Sequence, residues 1–530
     1  MNRLIRRTKG RVSLTNVALL LVTSSLVAQL LGVLRTKLVN ANFSAFGANS
    51  TDSYFAAFNI PDFFFYAIAA GALGVAFIPI LTEHLTKNDR KGALELTSSL
   101  LNLFAAVMAI AGVVIFVFAR PLIHVIVAPG MSPHELHNTV MIMRLVAFDP
   151  LLFTISGILT SLQQSIGRFF FYAMGPIFYN LSIILSIFIF RNNIGIIGLG
   201  IGALVGSIVQ LLIVASGLIG INYEYHFHIT WRRKDFQTVL RNFPARSLSL
   251  GVNQIESIAE THFATGLGVG NISFYSNAYI LQTAPTLLIG SAISTAVFPR
   301  FSSRIAQHRP DLFRKDFLRM LRIMVWIISP ITVISYFARG YLARLIFAKD
   351  SSEIAIVFGF MAGAIFFNTL YTLISRWFYA QKDTKTPLYI AVLTIIINVI
   401  LAYKLSRPDA YGVAGLAIAQ SLVAALEVGI LFAIMLLRDH RLFDKQFWSG
   451  ITKIISATGF TIVAAYIMIS LFPLEVADHG ILTLGTKLAI ISIVTFAVHI
   501  AISALFGLDE PKPFINRIKR IVLKPIPVSY

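Results

Sequence analysis

Ionisable side chains are so sparse in the apolar stretches of this sequence that each can be weighed for the chemistry it would support. The run from Leu14 to about Leu38 is interrupted by Gln29, Arg35 and, at its end, Lys37. Asp52 opens the next run, Asp52-Ser53-Tyr54-Phe55-Ala56-Ala57-Phe58-Asn59-Ile60-Pro61-Asp62, and Arg144 and Asp149 lie five residues apart further on. Glu256 and Glu260 are four apart and share one helical face, with Asn253 and Gln254 nearby. Ionised groups in such runs are costly in hydrocarbon unless they face a wet or protein-lined interior, where their chemistry is ion binding.

Each has more than one reading. Arg35 either snorkels to lipid headgroups or contacts an anion. Asp52 is a helix N-cap or the acidic partner of Arg35. Arg144 and Asp149 form a charge pair or line a cavity. Glu256 and Glu260 hold a coupling cation or proton, line a water-filled path, or pair structurally, and Glu427 stands isolated. Asn180 and Asn398 would bond across helices. No metal-ligand spacing, phosphate-binding glycine loop, nucleophile elbow or ATPase domain accompanies them. Neither covalent chemistry nor a bound cofactor is expected, and energy for transport would come from an ion gradient, the membrane potential or the substrate's own gradient.

Membrane-spanning helices must position these groups. Only 13% of the 530 residues are charged and 56% are hydrophobic, with a mean hydropathy of +0.77. A soluble protein carries roughly 25% charged residues, so this is an all-α polytopic membrane protein. Fourteen apolar segments long enough to cross as helices are predicted near 14–36, 53–81, 96–119, 138–160, 169–190, 195–220, 246–268, 272–298, 318–338, 353–375, 387–404, 412–436, 451–472 and 482–505. The most polar is 246–268, which holds Glu256, Glu260 and His262. Met1-Asn2-Arg3-Leu4-Ile5-Arg6-Arg7 ahead of the first run resembles a signal peptide. The run is too long and lacks a small-residue cleavage site, so a retained span is expected.

Alternate connections are basic: Arg3 to Arg11; Lys87 to Lys91; Arg232 to Arg241; Arg300 to Arg319; Arg376 to Lys385; Arg438 to Lys445; and the tail from Lys512. The others are poor in basic residues, except for Arg339, Arg344 and Lys349 and for Lys404 with Arg407. This bias places both termini in the cytoplasm. It also assigns the net charge of +20 to anionic lipid headgroups rather than to nucleic acid. There is no cysteine, which leaves the redox compartment unread.

An internal repeat sets the domain organisation. Asn180 precedes Gly195-Ile196-Ile197-Gly198-Leu199-Gly200-Ile201, and Asn398 precedes Gly412-Val413-Ala414-Gly415-Leu416-Ala417-Ile418. Pro61 with Phe77-Ile78-Pro79 is echoed by Pro285 with Phe298-Pro299. An offset spanning an even number of segments gives two halves of one orientation, a transporter architecture, although glycines alone would also serve close helix packing. The expected domains are an N-terminal bundle (1–222), a cytoplasmic connector (223–244), a C-terminal bundle (245–440), and two last helices with a basic tail (441–530).

These residues also carry a family likeness. Leu31-Gly32-Val33-Leu34-Arg35, Phe46-Gly47-Ala48-Asn49-Ser50-Thr51-Asp52, Gly71-Ala72 with Ala76-Phe77-Ile78-Pro79, and Gly175-Pro176 are involved. So are Leu162-Gln163-Gln164 with Gly167-Arg168-Phe169 and, most specifically, Arg376-Trp377-Phe378-Tyr379-Ala380-Gln381-Lys382-Asp383-Thr384-Lys385-Thr386-Pro387. With them the chain resembles the MurJ/MviN lipid II flippases of the multidrug/oligosaccharidyl-lipid/polysaccharide exporter superfamily.

The resemblance implies fourteen helices: two six-helix bundles around a central cationic cavity, plus two C-terminal helices forming a groove for a lipid tail. It implies a monomer in the bacterial cytoplasmic (inner) membrane that moves an undecaprenyl-linked cell-wall precursor outward by alternating access, driven by membrane potential or a monovalent cation. Arg35, Asp52 and Ser273 match substrate-cavity positions of that family, and Glu260 and Asn398 match cation-ligand positions. Gln29, Phe65, Ile280 and Thr283 stand where charged residues are common in the family. With fewer donors for a pyrophosphate, Arg144 becomes a candidate replacement. The expected function is lipid II flipping. The alternatives are flipping of another polyprenyl-linked oligosaccharide, cation-coupled export of amphiphiles through Glu256 and Glu260, and a non-transporting scaffold for wall synthesis.

Overall fold

A computed structural model describes residues 14–70, 77–221, 223–347, 349–513 and 515–516. Gly71-Ala72, Ala76, the N-terminal basic cluster and the tail from Arg517 lie outside the described residues. The chain divides into two compact units, Met1–Ser273 and Phe274–Tyr530.

In the first unit, α1 (Leu14–Asn42) is followed by α2 (Thr51–Phe64), α3 (Ile78–Thr86), α4 (Arg90–Pro121), α5 (Pro133–Val146), α6 (Asp149–Ser165), α7 (Phe170–Phe190), α8 (Ile197–Ser216) and α9 (Lys234–Thr265). α2 starts at Ser50, whose Oγ accepts from the Asp52 N–H at 3.1 Å. α5 starts with a capping box between Ser132 and Glu135. α7 packs along α8 and α1, α4 along α6, and α2 along α5 and α9. The α7–α8 approach depends on Gly198, Gly202 and Gly206, spaced by four, where a Cβ would collide with Phe190, Ser186 and Tyr179 respectively.

The second unit contains α10 (Asn271–Pro285, whose first turn belongs to the first unit), α11 (Ala292–Ala306), α12 (Pro310–Phe337), α13 (Arg339–Ile346), α14 (Ser351–Ala380), α15 (Lys385–Leu405), α16 (Val413–Arg438), α17 (Lys445–Leu471) and α18 (Gly480–Leu505). One of its cores gathers Phe301, Phe313, Phe317, Trp326, Trp377 and Phe378 from α11, α12 and α14. The last helix is fixed to α12 by polar bonds: Trp326 Nε1 donates to Ser503 Oγ at 2.9 Å, and His499 Nε2 lies 3.1 Å from the Trp326 carbonyl, while Thr461 Oγ1 of α17 lies 2.8 Å from His499 Nδ1.

Among the described residues, twelve helices are long and apolar enough to cross a membrane. The two other predicted segments do not meet that description. The second is α2, extended by a π-helical turn at Phe65–Ala70, with residues 71–76 outside the described residues before α3. The seventh lies in α9, a 32-residue helix that begins at Lys234 and is too polar along its length.

The repeat has a structural counterpart in each unit. Gly195 and Gly412 have φ of +61° and +55°, a left-handed conformation that side chains resist, and each lies just before the helix it introduces, α8 or α16. Pro61 lies four residues before the π-helical turn Phe65–Ala70, and Pro285 immediately precedes the turn Thr286–Ser291. A proline has no N–H to close the preceding turn, so a widened turn beside it is the expected relief.

Candidate functional site

Asp52 sits at the N-terminal end of α2 and is 3% exposed. Its Oδ2 accepts the Gly270 N–H at 2.7 Å, and its Oδ1 accepts the Ser273 N–H at 2.8 Å and the Ser273 Oγ–H at 2.5 Å. The Thr51 hydroxyl lies 2.6 Å from Ser273 Oγ. With the Ser273 hydrogen given to Asp52, Thr51 becomes the donor to Ser273. Asp52 therefore caps the first turn of α10, while its own helix is capped by Ser50. Asp52 and Ser273, matched separately in the sequence, form one hydrogen-bonded unit.

A second group lies deeper. Arg35, half-buried on α1, acts electrostatically on Asp62 of α2. Asp62 and Asp149, the first residue of α6, act on each other. Tyr179 of α7 lies within electrostatic reach of Arg35, Tyr54, Asp62 and Asp149. Asp149 is 3% exposed; its Oδ1 accepts from Ser207 Oγ at 2.7 Å, and its Oδ2 has no hydrogen-bond partner among the described residues. One turn along α6, Phe153 packs edge-to-face on Tyr179 at 5.3 Å and on Phe65 at 5.7 Å. Phe65, Phe153, Ser156, Thr160, Tyr172 and Gln210 line a cavity of about 360 Å³. The Ser156 hydroxyl is buried there without a hydrogen-bond partner among the described residues.

The other candidates are placed elsewhere. Arg144 donates to the Phe116 carbonyl at 3.3 Å and lies 5.6 Å above the Phe116 ring, beside the break in α4 at Phe118. Gln29 is exposed on α1. Glu256 is half-buried and Glu260 is 6% exposed on α9, the helix whose Ser257 and Thr261 bond Asn59 of α2 at 3.2 and 3.3 Å. Asn398 is 1% exposed within α15, and Asn180 donates to the Pro176 carbonyl at 2.9 Å.

The residues that sequence reasoning passed over are Asp62, Tyr179 and Ser207. Asp62 was within reach of it, as a second carboxylate in the run that Asp52 opens. Nothing in the sequence pairs Tyr179 or Ser207 with Asp149. No cluster of three metal-binding side chains occurs among the described residues. The arrangement offers charged and hydroxyl groups for binding ions, with no nucleophile poised against a base.

Outside the spans, the loop after α14 is held by Asp383. It accepts from Thr386 N and Oγ1 at 3.0 and 2.7 Å and from Arg438 at 2.6 Å. Burial opposes its ionisation, yet these donors hold the carboxyl down at about 2.

Comparison with known proteins places this architecture. The family model described as "Lipid II flippase MurJ" matches residues 43–484. A probable lipid II flippase MurJ of Borreliella burgdorferi is 24% identical over 435 residues, covering 80% of this chain and 84% of that protein. One of Bdellovibrio bacteriovorus is 22% identical over 531 residues, covering 97% and 98%. The solved structure of a lipid II flippase MurJ in an inward closed conformation matches with a TM-score of 0.77 at 22% identity, covering 92% of this chain and 98% of that one.

Proposed function

The chain belongs to the MurJ lipid II flippase family, and on that premise we propose that it carries lipid II from the inner to the outer leaflet of the bacterial cytoplasmic membrane. Membership makes it a membrane transporter of the alternating-access type rather than an enzyme. The finer assignments are our reading: fourteen crossings, both termini cytoplasmic, a monomeric transporter, and bundles at 1–222 and 245–440 joined by 223–244. The match over residues 43–484 carries the proposal, since it includes most of both bundles.

Within that reading, Arg35 receives the pyrophosphate. It is the basic side chain that reaches the polar group between α1, α2, α6 and α7, and a guanidinium suits a dianion by bidentate, charge-assisted bonding. Gln29 lies six residues earlier on the same helix and contributes an amide. Asp52 and Ser273 set the first turn of α10 and act on substrate through its placement. Arg144, engaged with Phe116, supplies charge at longer range. Glu256, Glu260 and Asn398 are the positions for a coupling monovalent cation, with the membrane potential as the other driving force. The polyprenyl tail lies along α17 and α18, where Ile455, Phe460, Tyr466, Leu482 and Ile493 are exposed, as a groove for hydrocarbon requires.

Leaflet-specific labelling of lipid II in cells depleted of their own flippase tests this. Outer-leaflet lipid II should appear with the intact protein and be lost with Arg35→Ala. Full activity of that variant removes Arg35 from the mechanism. No outer-leaflet lipid II with a well-expressed, inserted protein rejects lipid II as substrate and moves attention to other polyprenyl-linked sugars.

A further inference from the structure

Arg35, Asp62 and Asp149 together carry one positive and two negative charges inside a helix unit of low dielectric. Two like charges in such a site resist simultaneous ionisation, and one proton shared by the pair brings the three residues to neutrality. The geometry supplies a place for it. Asp149 is 3% exposed, Ser207 satisfies only its Oδ1, and its Oδ2 has no hydrogen-bond partner among the described residues. An acceptor buried in that condition is costly, and protonation of the carboxyl lowers the cost by removing the charge. Asp149, Phe153, Ser156 and Thr160 follow one face of α6; Ser207, Gln210 and Val214 follow one face of α8; and Tyr172, Pro176 and Tyr179 follow one face of α7. The cavity of about 360 Å³ is lined by Phe153, Ser156 and Thr160, by Tyr172 and Pro176, and by Gln210 and Val214. The acid thus heads three helix faces that lead into that space, which is large enough for water.

We propose that Asp62 and Asp149 bind one proton between them, and that this proton sets how strongly Arg35 holds an anionic headgroup. The second half rests on Arg35 as the headgroup contact; the first does not. With both carboxylates ionised, the group repels a pyrophosphate. With one protonated, Arg35 is opposed by a single negative charge, and anion and proton favour each other's binding by the same factor.

Among the described side chains, Arg35 is the basic group that acts on the pair; Lys37 lies two residues further along α1, and Lys234 and Arg241 lie in the first turns of α9. Tyr66 on the π-helical turn and Tyr179 on α7 are phenols within reach of the pair, and Tyr54 on α2 is within reach of Tyr179. Glu256 and Glu260 on α9, which packs on α2, are acidic, and His262 of that helix is engaged with the Ile126 carbonyl at 2.8 Å. The charges of α4 (Arg90, Lys91, Glu95, Arg120), of α3 (Glu83, His84) and of α5 (His134, Glu135, His137) lie at helix ends or beyond the first turns. So does His124, in the turn after α4. Arg144 is turned to Phe116, and α8 carries no charged residue. A metal cation is the poorer fit, since it needs several oxygen ligands and the nearest neutral oxygen bonded to the pair is that of Ser207.

Infrared spectroscopy of the purified full-length protein tests the proton directly. The carbonyl band of a protonated carboxylic acid should be present at neutral pH, shift on deuteration, and be lost in both Asp149→Asn and Asp62→Asn. Binding of farnesyl pyrophosphate in detergent tests the linkage. Over the pH range in which the band titrates, affinity should rise as pH falls by up to about tenfold per pH unit more in the intact protein than in either variant. Absence of the band at neutral pH, its survival in either variant, or its displacement by sodium chloride at fixed pH overturns the shared-proton site. A band lost in both variants without farnesyl pyrophosphate binding at any pH upholds the proton site and rejects the headgroup role of Arg35.

Discussion

Removing the Asp52 carboxylate should loosen the first turn of α10 more than any other single change at that junction. Three donors converge on it: the Gly270 amide at 2.7 Å, the Ser273 amide at 2.8 Å and the Ser273 hydroxyl at 2.5 Å. Each hydrogen bond to a charged acceptor has a net worth of about 1.5–3 kcal/mol, and a buried donor left alone costs about 1–3. Asp52→Ala strands two buried amides, and a loss of about 3–5 kcal/mol follows. Asp52→Asn keeps one oxygen for Ser273 but turns an amide donor toward the Gly270 N–H, for a loss of about 2 kcal/mol. Ser273→Ala removes one such bond but leaves both amide bonds in place, for a loss of about 1.5 kcal/mol. Hydrogen exchange at Gly270 and Ser273 reads local opening directly. With tenfold per 1.4 kcal/mol, exchange should accelerate by roughly two to three and a half orders of magnitude in Asp52→Ala and by about tenfold in Ser273→Ala. The ranking, with Asp52→Ala fastest, Asp52→Asn next and Ser273→Ala slowest, is the test of the reasoning. Equal acceleration in Ser273→Ala and Asp52→Ala, or an unchanged Gly270 amide in Asp52→Ala, refutes the capping role.

Two further outcomes follow from local geometry. Gly415→Ala places a Cβ against the Leu405 carbonyl and 2.8 Å from the Ser406 amide nitrogen. Backbone cannot step aside as a side chain can, and a loss of about 3 kcal/mol is expected, seen as a lower unfolding temperature in detergent; wild-type stability would show the α15–α16 turn to be deformable. Asp383, held at about 2 against an ordinary 3.8, contributes stability that is fully present above pH 4 and is lost as pH falls toward 2. Because Asp383 and Arg438 keep 22% and 41% of their side-chain surface exposed, screening reduces the effect to about 1 kcal/mol. Asp383→Asn should abolish that acid-side loss, and a pH profile unchanged by the substitution rejects the assignment.

Much of the fold was legible because hydrophobic length is a one-dimensional signal. Twelve of the predicted spans are helices of sufficient length and apolarity among the described residues. The span at 451–472 is among them, matching the helix Lys445–Leu471. The difficult segments are those whose helices carry several polar residues. α9 starts at Lys234 and carries Glu256, Glu260 and His262, so its apolar average is diluted by the residues that give it interest. α2 widens into a π-helical turn after Pro61, and the echo at Pro285 marks the same device in the second unit. The glycine repeat was legible as a pattern, but its cause was not. The first glycine of each copy needs a left-handed backbone, whereas the second needs an absent side chain, against Phe190 in one unit and the Leu405 carbonyl in the other.

The site was legible only where sequence spacing and spatial neighbourhood coincide. Asp52 and Ser273 stand out separately in the sequence, and their contact joins positions 221 residues apart, beyond any local pattern. Asp52 is the partner that chain order suggests for Arg35, because it opens the next span; the carboxylate that Arg35 acts on lies ten residues further on, at Asp62. The helical repeat explains the difference. α1 runs toward the loop at residues 43–50 and α2 runs back from it, so a residue seven positions before the end of α1 is level with one well inside α2, not with its first turn. Counting from the shared loop, Arg35 stands about 10 Å below the end of α1 and Asp62 about 16 Å below the start of α2, at roughly 1.5 Å per residue, whereas Asp52 stands at the top, where α10 begins. That depth separates the two carboxylates by role: the shallow one holds backbone amides, and the deep one meets the charge of Arg35.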